Sequence, residues 1–386
     1  LISILTIGVG GLVANLYYAQ PLVASIAPAL GISQDVAGSI VSVTQIGYGT
    51  GLFFLVPIAD LVENRRLVLM LLGMTLLGLL AIGTAASVWV FFAAAFLIGL
   101  CATGAQVLLP FVAYLVPEER RGRVVGKVMA GVLTGIMLAR PAALFISASF
   151  GWRAVFFASA GLMLLIGLLL FRMMPEHRPA SGLRYGRALA TMVRLPGRMP
   201  ELCWRSAYGA LMFGSFNMFW TSAPLMLADR FHLGQHEIGV FALAGAGGAL
   251  AAPWAGRLSD GGREIVATFG AMLVLGLSFL VSIWATGAAV LPLLVVCAVL
   301  IDAAVQTNSV VSRRTVFGTA PEIRGRVNAI YMTCQFAGGA TGSIVGTMSY
   351  HWGGWAGTAG VGVGAGVLLL GLLGFEVRWR GVRGLG

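Results

Sequence analysis

Apolar runs of about twenty residues recur from one end of the chain to the other, broken by short polar turns in which arginine dominates. A run of that length, wound as a helix, spans the hydrocarbon core of a bilayer. The pattern predicts twelve helical spans, at roughly 4–30, 35–60, 66–87, 89–115, 124–148, 152–173, 204–228, 236–258, 264–286, 288–312, 325–348 and 354–376. Between the sixth and seventh lies the one long polar stretch, Pro175 to Glu201, basic and rich in Pro and Gly. It divides the chain into an N-terminal six-helix bundle (1–174), a linker (175–203) and a C-terminal six-helix bundle (204–386). One run stands apart. Val290 to Arg314 is apolar enough to cross a membrane yet carries Asp302 near its middle, with Gln306 one helical turn on and on the same face.

The two halves repeat each other at an offset of about 200 residues. "NLYYAQPL" from Asn15 matches "NMFWTSAPL" from Asn217, and Asp60 matches Asp260. "PEERRGRVVG" from Pro117 matches "PEIRGRVNAI" from Pro321, and "FGWRA" from Phe150 matches "WGGWA" from Trp352. A parallel repeat of six spans implies two pseudo-symmetric bundles related by an axis along the membrane normal, with a site at mid-depth.

Composition sharpens this into an all-α polytopic membrane protein: 58% hydrophobic residues, only 10% charged, and a mean hydropathy of +0.91. The net charge of +11 would point to nucleic acid in a soluble chain. Here the positive residues fall in alternate loops: Arg65 and Arg66 after span 2, Arg120 to Lys127 after span 4, five arginines in the linker, and Arg313, Arg314, Arg324 and Arg326 after span 10. The opposite side holds only Arg153 and Arg230. By the positive-inside rule both termini and the linker are cytoplasmic, and no nucleic-acid partner is expected. The four cysteines, Cys101, Cys203, Cys297 and Cys334, show no metal-ligand spacing and read as buried thiols. The first segment is too long for a signal-peptide core, and a short native start is expected before Leu1.

The loop after span 8, "GRLSDGGR" from Gly256, and its worn copy after span 2, "VPIADLVENRR" from Val56, resemble a signature of the major facilitator superfamily, as do the "RGR" turns after spans 4 and 10. The resemblance covers essentially the whole chain and is nearest to bacterial twelve-span drug:proton antiporters and sugar-efflux permeases. Two departures stand out. An arginine that such exporters carry in span 4 is replaced by Ala95, and the span 5 antiporter motif keeps Gly131 and Gly135 but has its proline late, at Pro141 after Arg140. The resemblance implies a multi-pass protein of the bacterial inner membrane, monomeric as is usual for the family, with no cofactor and no metal. It also implies that Asp60 and Asp260 form cytoplasmic gates with Arg123 and Arg326.

Asp302 is the one acid placed well inside a span and Arg140 the one base. A carboxylate facing lipid is costly, so an acid at this depth faces protein or a water path. Burial raises a carboxylate's pKa and a nearby guanidinium lowers it, so this pair from opposite halves is the candidate proton-coupling device. The candidate substrate-lining set is Asn15, Tyr18 and Gln20 on span 1; Gln45 and Tyr48 on span 2; Gln106 on span 4; Asn217 and Trp220 on span 7; Gln306 and Asn308 on span 10; and Tyr331 and Gln335 on span 11. A mixed aromatic and amide lining suits a small amphipathic or hydroxylated ligand, although such side chains also join helices to one another. The leading expectation is proton-coupled export of small amphipathic compounds by alternating access. The alternatives are a sugar or metabolite permease, by symport or uniport, and a non-transporting membrane sensor or assembly subunit. No catalytic constellation or phosphate loop is visible, so an enzyme is not expected.

Overall fold

The computed structural model describes residues 1–176, 178, 185–248, 251, 263–319 and 323–382, apart from the side chains at 60, 113, 118, 246, 319, 381 and 382. Every regular element among them is helical. In chain order these are α1 (Ile2–Ala14), α2 (Val23–Ala29), α3 (Ser39–Phe54), α4 (Asn64–Thr84), α5 (Val88–Ala102), α6 (Gly104–Tyr114), α7 (Glu118–Phe150) and α8 (Trp152–Met173). They continue with α9 (Tyr185–Arg198), α10 (Pro200–Phe231), α11 (Gln235–Ala242), α12 (Gly245–Gly248), α13 (Glu264–Gly287), α14 (Leu291–Thr319) and α15 (Arg324–Val382). Among the described residues, eight helical stretches are long and apolar enough to cross a membrane, and one of them covers 57 residues, Arg324–Arg380. That one is two spans joined at Gly354, whose φ of 57° only glycine adopts cheaply. Helix therefore covers each of the twelve expected spans, the eighth only in part because 249, 250 and 252–262 lie outside the described residues.

Three expected spans are not the continuous helices the hydrophobic pattern suggested. Span 1 stops at Ala14, passes through turn residues and a short 3-10 segment at Gln20–Leu22, and resumes at Val23. Pro21, which has no amide hydrogen to donate, sits at the restart. Span 4 is divided at Thr103, and span 8 between Ala242 and Gly245. Inside a membrane, backbone freed from a helix is tolerated only where protein or a water-lined path satisfies it. The linker corrects the pattern in the other direction. It holds α9, which buries Ala188, Met192 and Leu195 at helical spacing and carries Arg187, Arg194 and Arg198. The cysteine reading is also corrected: Cys101 and Cys297 are buried, but Cys203, in the first turn of α10, is exposed and Cys334 is half-buried.

The contacts sort into two compact units. One comprises Leu1–Ser33, Ser39–Val193 and Gly234–Leu243; the other comprises Gln34–Gly38, Arg194–Leu233 and Ala244–Gly386. In the first unit, α1 and α7 cross backbone to backbone. A Cβ on Gly10 would stand 2.6 Å from the Gly131 carbonyl oxygen, and one on Gly135 would collide with the Gly10 carbonyl. The second unit repeats the device between α10 and α15. A Cβ on Gly214 would stand 2.9 Å from the Gly338 carbonyl oxygen, and one on Gly342 would run into Gly214. Small residues that let backbones meet are the usual means of packing helices in lipid, where no hydrophobic force drives the helices together.

Gly135→Leu will therefore force α1 from α7 and destabilise the first unit by about 3 kcal/mol or more, as overpacking does at a backbone crossing. Gly167→Leu on α8, where an added Cβ meets nothing within 4 Å, is the matched control. The yield of monodisperse protein on size-exclusion chromatography and the melting temperature in detergent will read the difference. Equal values for the two variants would refute the crossing as a stability determinant.

Candidate functional site

Asp302 lies on α14 and is 9% exposed. Its Oδ1 accepts a hydrogen bond of 2.7 Å from the indole Nε1 of Trp220 on α10. The carboxylate fits because the facing residues of α12 are glycines. A Cβ on Gly245 would lie 2.8 Å from Asp302 Oδ2 and 3.0 Å from Trp220 Cζ2, and one on Gly248 would overlap the Asp302 side chain. At the repeat offset of about 200 residues the first unit has Gly99 on α5, which occupies an equally close crossing but carries no side chain at all. The second unit thus builds a pocket for one carboxylate where the first has only a helix seam.

Arg140 is 3% exposed on α7, not at a lipid-facing rim. Its Nε donates to Gln20 Oε1 at 2.9 Å, and its guanidinium stacks 5.3 Å from the centroid of Tyr17. Both partners lie in or beside the break in span 1, so the interruption delivers a polar side chain and an aromatic face to a buried cation.

The rest of the expected lining sorts into local pairs within each unit. In the first, Ser159 donates to Asn15 Oδ1 at 2.7 Å, while the Asn15 amide donates to the Gly11 carbonyl. Gln106, three residues past the break at Thr103, donates to the Tyr48 hydroxyl at 3.1 Å. Gln45 is fully buried and Tyr18 half-buried. In the second unit, Gln335 donates to Ser309 Oγ at 3.3 Å and Ser312 donates to Asn308 Oδ1 at 3.3 Å. The Asn217 amide donates to the Phe213 carbonyl, and the buried ring of Tyr331 packs on Gly209. Gln306 is half-buried on the same helix as Asp302.

Of the expected gate residues, Asp260 lies outside the described residues, and so does the side chain of Asp60, whose backbone ends the 3-10 turn Val56–Asp60. Arg123 is exposed at the start of α7 and Arg326 half-buried at the start of α15.

Sequence reasoning passed over a buried ionic cluster in the second unit. Arg205 on α10 is 1% exposed and donates to Glu201 at 3.0 Å and to Thr268 on α13 at 3.0 Å. Glu376, near the end of α15 and 2% exposed, accepts from the Tyr208 hydroxyl at 2.6 Å. Arg380 is ion-paired to both Glu201 and Glu376. Thr315 on α14 extends the network by donating to Glu264 at 2.7 Å. These charges stand at span ends, where an arginine or glutamate in sequence reads as a loop charge. The available signal was Glu376 followed four residues later by Arg380, a helical ion-pair spacing.

A sequence model of the Major Facilitator Superfamily matches residues 5–216 and again 206–382. The chain is 38% identical over 385 residues to the "Uncharacterized transporter YgaY" of Escherichia coli O157:H7, covering 99% of this chain and 95% of that one. A more distant relative, the "Chloramphenicol resistance protein" of Streptomyces lividans, is 29% identical over 173 residues, 44% of each chain. Among solved structures, a D-xylose-proton symporter superposes with a TM-score of 0.73 at 17% identity, covering 95% of this chain and 96% of that one; this is a likeness of fold.

Proposed function

The chain belongs to the major facilitator superfamily, and from that premise we propose that it is a proton-coupled exporter of small amphipathic compounds. It works by alternating access, as a monomer, in a bacterial inner membrane with both termini in the cytoplasm. The observation that carries the proposal is Asp302, a carboxylate buried in a membrane-spanning helix, seated in a glycine-walled pocket and held by an indole hydrogen bond. A charge at that depth is retained against a substantial insertion cost, and ion or proton pathways are where such groups recur. In this reading Asp302 takes up and releases the coupling proton. Arg140, fixed by Gln20 and Tyr17, is the tuning charge. The broken span 1 and the amide and aromatic side chains around Asn15, Tyr48 and Gln106 contact the substrate. Asp60 and Asp260, with Arg123 and Arg326, latch the cytoplasmic side. The name of the Streptomyces relative supports an amphipathic drug-like substrate class.

Purified protein in proteoliposomes with an imposed pH gradient tests this directly. Flux of amphipathic probes such as chloramphenicol or ethidium will follow the gradient and run against the proton flow. Gradient-independent flux of sugars, with none for these probes, would replace the exporter by a sugar or metabolite permease.

A further inference from the structure

A groove of about 440 Å³ opens in the first unit where α4 begins. Arg66 and Arg178 line it together with Leu61, Val62, Met70 and Glu63. Two of the N-terminal amides of α4 are already used: Glu63 caps the helix, accepting from the backbone N–H of Arg65 at 2.8 Å and of Arg66 at 3.0 Å. Any anion in the groove is therefore read by the arginine side chains. Arg66 is available for this, since its side chain is 79% exposed although it leans toward Glu63 at 3.6 Å. Arg65 is committed elsewhere, donating to the Phe171 carbonyl and stacking on the Phe171 ring.

The groove does not end at the arginines. Arg66, Met70, Gly73, Leu77 and Leu80 follow one another at helical spacing down one face of α4, and all five are exposed. Gly73 meets nothing within 4 Å of an added Cβ, so it forms a notch in that stripe. α4 is long and apolar enough to cross a membrane, which puts its arginine end at headgroup depth and Leu77 and Leu80 against acyl chains. Two cations above an apolar track that runs into the bilayer match a molecule with an anionic head and a hydrocarbon tail. A free phosphate would use the head of this site and leave the track unexplained.

We propose that this groove is a binding site for one anionic phospholipid, its phosphate held between Arg66 and Arg178 and an acyl chain lying along Met70, Gly73 and Leu77. The site rests on the membrane-spanning reading of the chain and is independent of what the protein transports.

Native mass spectrometry of the full chain in detergent, titrated with phosphatidylglycerol, phosphatidylcholine or inorganic phosphate, will test the site. Phosphatidylglycerol will be retained in preference to phosphatidylcholine, and inorganic phosphate at the same concentration will not displace it. Arg66→Gln and Arg178→Gln will each weaken retention roughly fivefold, and the pair about 25-fold, as expected for two surface cations acting on one anionic head. Met70→Glu will weaken retention with both arginines intact. All three positions are exposed or at the groove rim, and an unchanged melting temperature in detergent will show that the variants fold. Equal retention of the two lipids, displacement by phosphate alone, or full retention by the double arginine variant would each overturn the proposal. Because lipid retention is read without any transport step, a failure here leaves the exporter reading standing, and the reverse.

Discussion

Asp302→Asn will abolish gradient-driven accumulation while leaving the protein folded and able to exchange substrate across the membrane at equilibrium. Asparagine keeps the size of the side chain and an acceptor oxygen for the Trp220 indole, now at 2.7 Å from Asp302. It also fits the space left by Gly245 and Gly248. What it removes is the ability to carry a proton. If proton and substrate are linked through this group, the linkage free energy disappears, and accumulation driven by an imposed pH gradient should fall by about tenfold or more, within the usual range of coupling energies. Counterflow, which needs alternating access but no net proton movement, will persist. Trp220→Phe separates charge from hydrogen bonding: the ring volume largely stays and the donor is lost, so coupling should weaken without vanishing. Gradient-driven accumulation in Asp302→Asn equal to that of the parent protein would remove Asp302 from the coupling mechanism while leaving the transporter fold untouched.

The parts of this architecture legible in the sequence are those that the bilayer itself imposes. A membrane fixes the length of an apolar helix, so the twelve runs and their arginine-marked turns read directly. Gly131 and Gly135 read as a packing pair because their four-residue spacing puts both on one helix face, and they do meet α1. Their second-half equivalents, Gly338 and Gly342, have the same spacing but sit in a glycine-rich span where nothing singled them out. Asp302 was legible because it is costly where it stands. Its partner was not: Trp220 is 82 residues away, and only tertiary packing joins them. The break in span 1 was half legible, since Pro21 signals a bend but the loss of helix across Asn15 to Ala19 depends on what the freed backbone meets. The helix α9 was hidden by composition. Its Pro and Gly neighbours suggested loop, and the apolar positions at 188, 192 and 195 carry the helical signal only when counted by period.

The ionic cluster of the second unit was the least legible feature, and it leads to a prediction opposite in kind to that for Asp302. Glu201, Arg205, Glu376 and Arg380 contribute two negative and two positive charges, and Glu376 and Arg205 are almost fully buried. Through Thr268 and Tyr208 the cluster ties α10 to α13 and α15. Removing one partner of such a set strands a buried charge, which costs about 3–5 kcal/mol, whereas removing a matched pair costs far less because the desolvation penalty goes with it. Arg205→Met and Glu376→Gln should therefore each lower the unfolding free energy by about 3 kcal/mol, as read by thermal or denaturant unfolding in detergent. The double variant Glu201→Met with Arg205→Met should lose less than the sum of its two singles by at least about 1 kcal/mol, the signature of residues acting in one network. Protein that survives reconstitution should still couple transport to the pH gradient. Asp302→Asn will show the converse, normal stability with coupling lost. The two carboxylates are thus assigned different roles in the proposal: Glu376, ion-paired to Arg380, holds helices together, while Asp302, seated against glycines and hydrogen-bonded by the Trp220 indole, carries the proton. Loss of gradient coupling in the Glu376→Gln protein, with stability unchanged, would reverse that assignment and make the ionic cluster the proton site.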